Sequence, residues 1–239
     1  MSKSKKNTID PGEIIETYGA DTARLFMMSD NPPEKDLEWT DAGAEGAWRY
    51  LNKLYMQAMY AADIIPEIGT AAPNTFTSAA INLRRITHKT IREYTNDLET
   101  FAYNRGVARL RTLSNELFAF DAKTSDEKWA LREGYEVLIQ LLAPITPHIC
   151  EELWERFGYK TLVCNAQWPQ HREELTEETQ IIMPVQVNGK LRGTIDVPVG
   201  AAEDVIKKSA LERVASLITG KTIQRVIIIK DKIINIVVA

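Results

Sequence analysis

The hydrophobic period of this chain changes once, near residue 173, and that change limits the possible folds more than any other feature. Before it, apolar residues recur at three-to-four spacing over long stretches, as one buried helix face requires. After it come β-branched blocks, "IIMPVQVNGKLRGTIDVP" and "RVIIIKDKIINIVVA", separated by one helical pattern. Neither an all-helical bundle nor a sheet protein accommodates both halves. The fold class is therefore mainly α, a helical bundle followed by a small α+β domain.

Local signals divide the chain further. Asp10 can cap a helix whose first residue is Pro11, and Gly19 can end it. Asp21 is positioned to cap a second short helix through Leu25, Phe26 and Met27, which "DNPPEKD" stops. From Thr40 a long helix places Trp48, Leu51, Tyr55 and Met59 on a stripe facing the core. Further helices are expected over Ser78–Asn96, over Leu98–Phe120, and from a capping Ser125 to the break at Pro144 and Pro147. "HICEELWERFG" resumes as a short helix ending at Gly158. Beyond the polar link "QHREELTEET", Asn188-Gly189 marks a hairpin, "AAEDVIKKSALERVASLI" an amphipathic helix, and Lys230-Asp231 a second strand turn. The expected boundaries are 1–39, 40–172 and 173–239.

Composition narrows the class of function. A hydrophobic share of 44% and a charged share of 26% describe an ordinary globular chain. No apolar run approaches the roughly 20 residues needed to span a bilayer, so no membrane partner is expected. No apolar signal-peptide core opens the sequence, and Cys150 and Cys164 form no disulfide framework, which suits a reducing cytoplasm. Net charge is −4, but residues 180–239 carry nine Lys/Arg against five Asp/Glu. A basic end on an acidic body fits a polyanion partner; on composition alone a solvated surface is the simpler reading.

The N-terminal segment "MSKSKKNTIDPGEIIETYGADTARLF" resembles the KMSKS signature loop of the class I aminoacyl-tRNA synthetases, without its leading lysine. Asn7, Asp10-Pro11 and "YGADTAR" continue the resemblance. "PPEKDLEW" followed by "GAEGAWRYLNKLY" is similar to the leucyl branch, while "LLAPITPHICEELWERFG" is shared with valyl and isoleucyl relatives. The C-terminal "VQVNGKLRGTIDVP", a helix and "GKTIQRVIIIKDKIINIVV" are similar to the terminal domain of bacterial leucyl enzymes. The coiled coil of a valyl relative and the cysteine-rich zinc module of an isoleucyl one have no counterpart here.

The resemblance implies residues 1–39 as the end of a catalytic region, 40–172 as an anticodon-binding-type bundle and 173–239 as a tRNA-binding domain. It implies activation of leucine by ATP with Mg²⁺ and transfer to tRNA(Leu). Lys3 corresponds to the motif's second lysine and is expected to stabilise the charge that develops as pyrophosphate leaves; Ser2 and Ser4 complete the ATP-binding loop. No HIGH-type histidine motif or preceding nucleotide-binding fold occurs. The chain alone is thus expected to activate no amino acid and to bind no ATP, and to need N-terminal catalytic and editing regions as partners. A monomer is expected. The alternative is a free-standing or split-subunit RNA-binding module derived from a class I synthetase.

Two sets of basic residues are candidates for tRNA contact. Arg84, Arg85, His88, Lys89 and Arg92 lie at near-helical spacing, and Arg105, Arg109 and Arg111 follow on the next helix. Spacing alone describes a solvated face with i,i+4 pairs; the resemblance makes phosphate contact as good a reading. In the terminal domain Lys190 and Arg192 flank the hairpin, with Lys207, Lys208 and Arg213 on the helix. There the resemblance implies contact with the outer corner of tRNA, by shape and backbone. Trp48, Trp129 and Trp154 sit on apolar stripes and read as core. His148-x-Cys150 offers too few ligands for zinc, so no metal site is expected.

Overall fold

The computed structural model describes residues 10–36, 38–177, 180–220, 222–229 and 232–239; Ser2, Lys3 and Ser4, and the turn expected at Lys230-Asp231, lie outside them. One compact unit closes at Thr176 and a second begins at Glu177. Among the described residues no helix is long and apolar enough to cross a membrane.

The first unit opens with α1 (Pro11–Tyr18) and α2 (Ala20–Ser29). Asp10 accepts from the Gly12 N–H at 2.9 Å, and Gly19, at φ +85°, turns the chain between the helices. Asp21 does not cap α2, where Gly19 holds the cap position with no side-chain bond. Its carboxylate instead reaches α7 (Pro147–Arg156), accepting from the Ile149 N–H and pairing with His148 Nδ1, both at 2.8 Å. The cap residue of α7, Thr146, makes no side-chain capping bond to the helix start. A helix-start donor would be left without an acceptor there, and Asp21 supplies one across the fold. Arg24 makes a second tie, donating from Nε to the Ile145 carbonyl at 2.7 Å and from Nη2 to the Pro144 carbonyl at 2.8 Å.

The bundle comprises α3 (Asp41–Ala62), α4 (Ser78–Glu99), α5 (Tyr103–Ala119), α6 (Ser125–Leu142) and α7. On α3 the buried stripe is Ala44, Ala47, Leu51, Leu54, Ala58 and Ala61, while Trp48 is 43% exposed. Small residues let α3 lie close to its neighbours, and the bulky Trp48 is turned outward rather than into the core. Tyr55 and Met59 are half-buried. The helix expected from Leu98 starts later, because Thr100 ends α4 and Phe101 takes φ +57°. Thr124, one residue before the expected Ser125, caps α6; the Glu127 carboxylate accepts from the N–H groups of Lys123 at 2.8 Å and Thr124 at 3.1 Å. Leu54, Leu83, Leu110, Leu138 and Leu153 meet at the centre, each at most 3% exposed, and each contributes roughly 1.5–3 kcal/mol relative to exposure. Trp154 is buried and stacks on Tyr159 with centroids 3.6 Å apart; Trp129 is half-buried and donates to the Thr70 carbonyl at 3.0 Å.

After α8 (Glu173–Thr176) the second unit forms a sheet of order β2-β1-β4-β3, from β1 (Gln180–Val187), β2 (Lys190–Pro198), β3 (Ile223–Ile229) and β4 (Ile233–Val238). α9 (Glu203–Arg213) covers one face, setting Ile206 and Ala210 against Met183, Val185, Ile195 and Ile234. β1 pairs antiparallel with β2 through the Asn188-Gly189 turn and parallel with β4. Asn188, at φ +50°, does more than turn. Its amide donates to the Val238 carbonyl at 3.1 Å and its Oδ1 accepts from the Val238 N–H at 2.9 Å, fastening the end of β4 to the hairpin.

Asn188→Gly keeps the positive φ accessible and deletes only those two bonds. It is expected to cost about 1–2 kcal/mol, read by urea denaturation; an unchanged midpoint would reduce Asn188 to a turn residue.

Candidate nucleic-acid interface

The basic residues of the bundle fall into two environments. Asp97, in the last turn of α4, is 1% exposed. A buried carboxylate is tolerated only when paired and hydrogen-bonded, and here α5 supplies the partners. Arg105 Nε donates to Oδ1 and Arg109 Nε to Oδ2, each at 2.6 Å, and the Asp97 carbonyl accepts from the Ala102 N–H at 2.8 Å. Glu93 also holds Arg109 through Nη1. Gly106 allows the approach: a Cβ there would lie 2.9 Å from the Tyr94 ring. The Arg105 side chain remains 54% exposed, with its outer end toward solvent, while Arg109, 33% exposed, is shared between Asp97 and Glu93. Each is anchored at Nε, and the Nη groups of Arg105 have no partner among the described residues. Ala108, Thr112 and Asn115 are exposed nearby on α5, as is the acidic Glu116.

Arg84 has the opposite fate. It lies inside, 6% exposed, with Nε 2.7 Å and Nη2 3.2 Å from the two oxygens of Glu133 on α6. Its guanidinium also packs over Phe76 at 4.4 Å and Trp129 at 5.2 Å. His88, equally buried, completes the cluster. Its Nδ1 accepts from the Arg172 N–H at 3.1 Å, so the ring proton sits on Nε2 and is donated to Glu133 at 3.3 Å. Arg84 is thus removed from the set of tRNA contacts: its donors are committed to the α4–α6 seam. Arg85, Lys89 and Arg92 are partly exposed on α4; Arg92 lies 4.0 Å from Glu173, and Lys89 is also engaged.

In the sheet unit Lys190, Arg192, Lys207, Lys208 and Arg213 are exposed and have no ion-pair partner among the described residues. Arg192 is the extra residue of a β-bulge, since Val185 faces Gly193 while Gln186 faces Leu191. The missing Cβ of Gly193 leaves room for Arg213, whose Nε lies 3.0 Å from where that atom would be. Residues 180–239 contain no Phe, Trp, Tyr or His, so this unit cannot hold nucleobases by aromatic stacking.

Sequence spacing missed Asp97 and Glu133, the two carboxylates that sort the arginines. Only the eight- and twelve-residue separations from Asp97 to Arg105 and Arg109 hinted at one of them, and across a helix break such spacing carries no face information. Burial pushes the Glu133 carboxyl up, but hydrogen bonds from His88 and Arg84 and the Arg84 charge outweigh it and hold it below its usual range. Its proton is bound more tightly in the unfolded chain, so its contribution is present above the ordinary carboxylate range and lost as pH falls through the lowered value. Stability measured by urea denaturation from pH 6 downward is expected to fall, and Glu133→Gln to flatten that acid limb. At pH 7 Arg84→Ala is expected to cost about 3 kcal/mol, by stranding Glu133.

Residues 82–207 match the family model of the anticodon-binding domain of tRNA ligase, and residues 1–40 match that of the class I tRNA synthetases for I, L, M and V. Over the whole chain it is 45% identical to the leucine–tRNA ligase of Paramagnetospirillum magneticum and 42% to that of Parvibaculum lavamentivorans, spanning 28% of the length of each. A solved LeuRS of Agrobacterium radiobacter K84, in a ternary complex with tRNA and LeuAMS, aligns with 100% of this chain and 31% of its own, at 29% identity and a TM-score of 0.76. The chain belongs to the tRNA-ligase family that carries this anticodon-binding domain, and it corresponds to the C-terminal region of the leucine-specific members.

Proposed function

We propose that this chain serves the ATP-dependent ligation of leucine to tRNA(Leu), and that its two units hold the tRNA. In the reaction the leucine carboxylate attacks the α-phosphate of ATP, pyrophosphate leaves, and a ribose hydroxyl of tRNA then takes the leucyl group with release of AMP. Lys3, with Ser2 and Ser4, is assigned to the charge on the departing pyrophosphate, by correspondence with the signature loop. ATP enters as substrate with Mg²⁺ at a catalytic region that, with an editing region, is proposed as a partner of this chain. The setting proposed is the cytoplasm, with a monomeric protein.

The observation that carries the reading is the Asp97 anchor. It holds two guanidiniums in fixed places and leaves the outer end of Arg105 open to solvent, where a phosphate can be met without further ordering of that side chain. Arg85, Lys89 and Arg92 are proposed as flanking contacts. Lys190, Arg192, Lys207 and Lys208 provide a second set that, without aromatic residues, acts on phosphate and ribose. Such binding is strongly salt-dependent.

Filter binding of a tRNA(Leu) transcript at several salt concentrations tests this. Arg105→Ala, and separately Lys207→Ala with Lys208→Ala, are expected to weaken binding about three- to tenfold. Each is also expected to lower the salt slope by about one for every phosphate no longer neutralised. Wild-type affinity for tRNA no better than for heparin would refute recognition by shape.

A further inference from the structure

A cleft of about 350 Å³ lies between α2, α3 and α5, on the side of α5 away from Asp97. The α5 wall carries Asn104, Ala108 and Arg111, the α3 wall Gly43 and Gly46, and the α2 wall Asp30. Gly43 fixes the helices against each other, because a Cβ there would lie 2.4 Å from the Phe26 ring. Gly46 is different: an added Cβ would meet nothing within 4 Å. It faces open space, and bare α3 backbone forms that wall near the positive end of the helix.

The donors in the cleft are unused. Arg111 lines the cleft with its guanidinium over the Tyr50 ring at 4.9 Å and has no carboxylate partner among the described residues. The Asn104 amide, on the same wall, has no side-chain partner among the described residues either. Asp30 adds a carboxylate, which repels phosphate but accepts from a hydroxyl. Cation and amide on one wall, a hydroxyl acceptor on another and a glycine that leaves the space open suit a sugar phosphate that keeps its 2′-hydroxyl.

We propose that this cleft receives a ribose–phosphate unit of bound RNA, its phosphate at Arg111 and Asn104 and its 2′-hydroxyl at Asp30. The proposal rests on the tRNA-binding reading and adds a site to it. It makes Asp30 the group that distinguishes RNA from DNA in this place, and it makes Gly46 a residue kept small for the ligand.

The full chain is tested with a tRNA(Leu) transcript, following affinity and thermal midpoint together. Gly46→Gln directs a long side chain into the cleft from a Cβ that meets nothing within 4 Å and replaces a helical glycine, so the midpoint is expected to hold or rise while affinity falls about fivefold. Ala108→Gln, entering from the exposed α5 wall, is expected to weaken binding similarly and serves should Gly46→Gln lower the midpoint. Asp30→Ala is expected to weaken binding despite removing a negative charge; tighter binding would overturn the hydroxyl contact. Wild-type affinity in both plugged variants, with Arg105→Ala still weakened, overturns the cleft and leaves the tRNA reading standing. A wild-type chain that prefers tRNA no more than heparin overturns both.

Discussion

A carboxylate at 1% exposure is the constraint from which the helical unit takes its working shape. Asp97 stands where α4 ends, and it must be compensated there, since an isolated buried charge is not tolerated. Its two oxygens draw Arg105 and Arg109 from α5, and its carbonyl takes the Ala102 N–H. The helix break, the close crossing at Gly106 and the direction of both arginines answer to one requirement. Beyond Asp97, Arg109 is also held by Glu93, and the outer end of Arg105 is left to solvent. Internal compensation and external presentation are the same contact seen from two sides.

Arg84 shows how narrowly this outcome is set. It adjoins Arg85 and lies one helix turn from His88 in a basic run, yet Glu133 on α6 stands opposite and closes a dry, aromatic-walled seam over it. Arg132 is enclosed likewise, by Glu136 and by the carbonyls of Pro66 and Phe157. Whether an arginine here is enclosed in the fold or left at the surface depends on where the nearest carboxylate stands and whether a second helix covers the pair. The sheet unit follows other rules. Its exposed cations lack carboxylate partners among the described residues, and Gly193 leaves room for Arg213 against β2.

What was legible in the sequence was whatever local chemistry decides. The change of period near residue 173 separates helices from sheet, Asn188-Gly189 makes its hairpin, and Pro11, Gly19 and Gly158 bound their helices. Distance in sequence hid the rest. Asp21 looks like the cap of the helix it begins, but it caps α7, across 128 positions. Trp48 sits on an apolar stripe, but the alanines beside it allow the closer approach and take the core. Arg84 and Arg105 have similar surroundings in sequence, and only the packing of α4 against α6 and α5 separates them. The orphaned Arg111 Nε has no signature in sequence, because a missing partner is a property of three helices at once.

The central claim is that Asp97 positions cations for RNA rather than merely balancing them. The most direct measurement is the affinity of Asp97→Asn for a tRNA(Leu) transcript at fixed low salt, with folding confirmed by circular dichroism. The substitution removes a negative charge, so charge alone would tighten binding. The account predicts weaker binding, because Arg105 and Arg109 lose the anchor that orders them. Equal or tighter binding by the folded variant would contradict it.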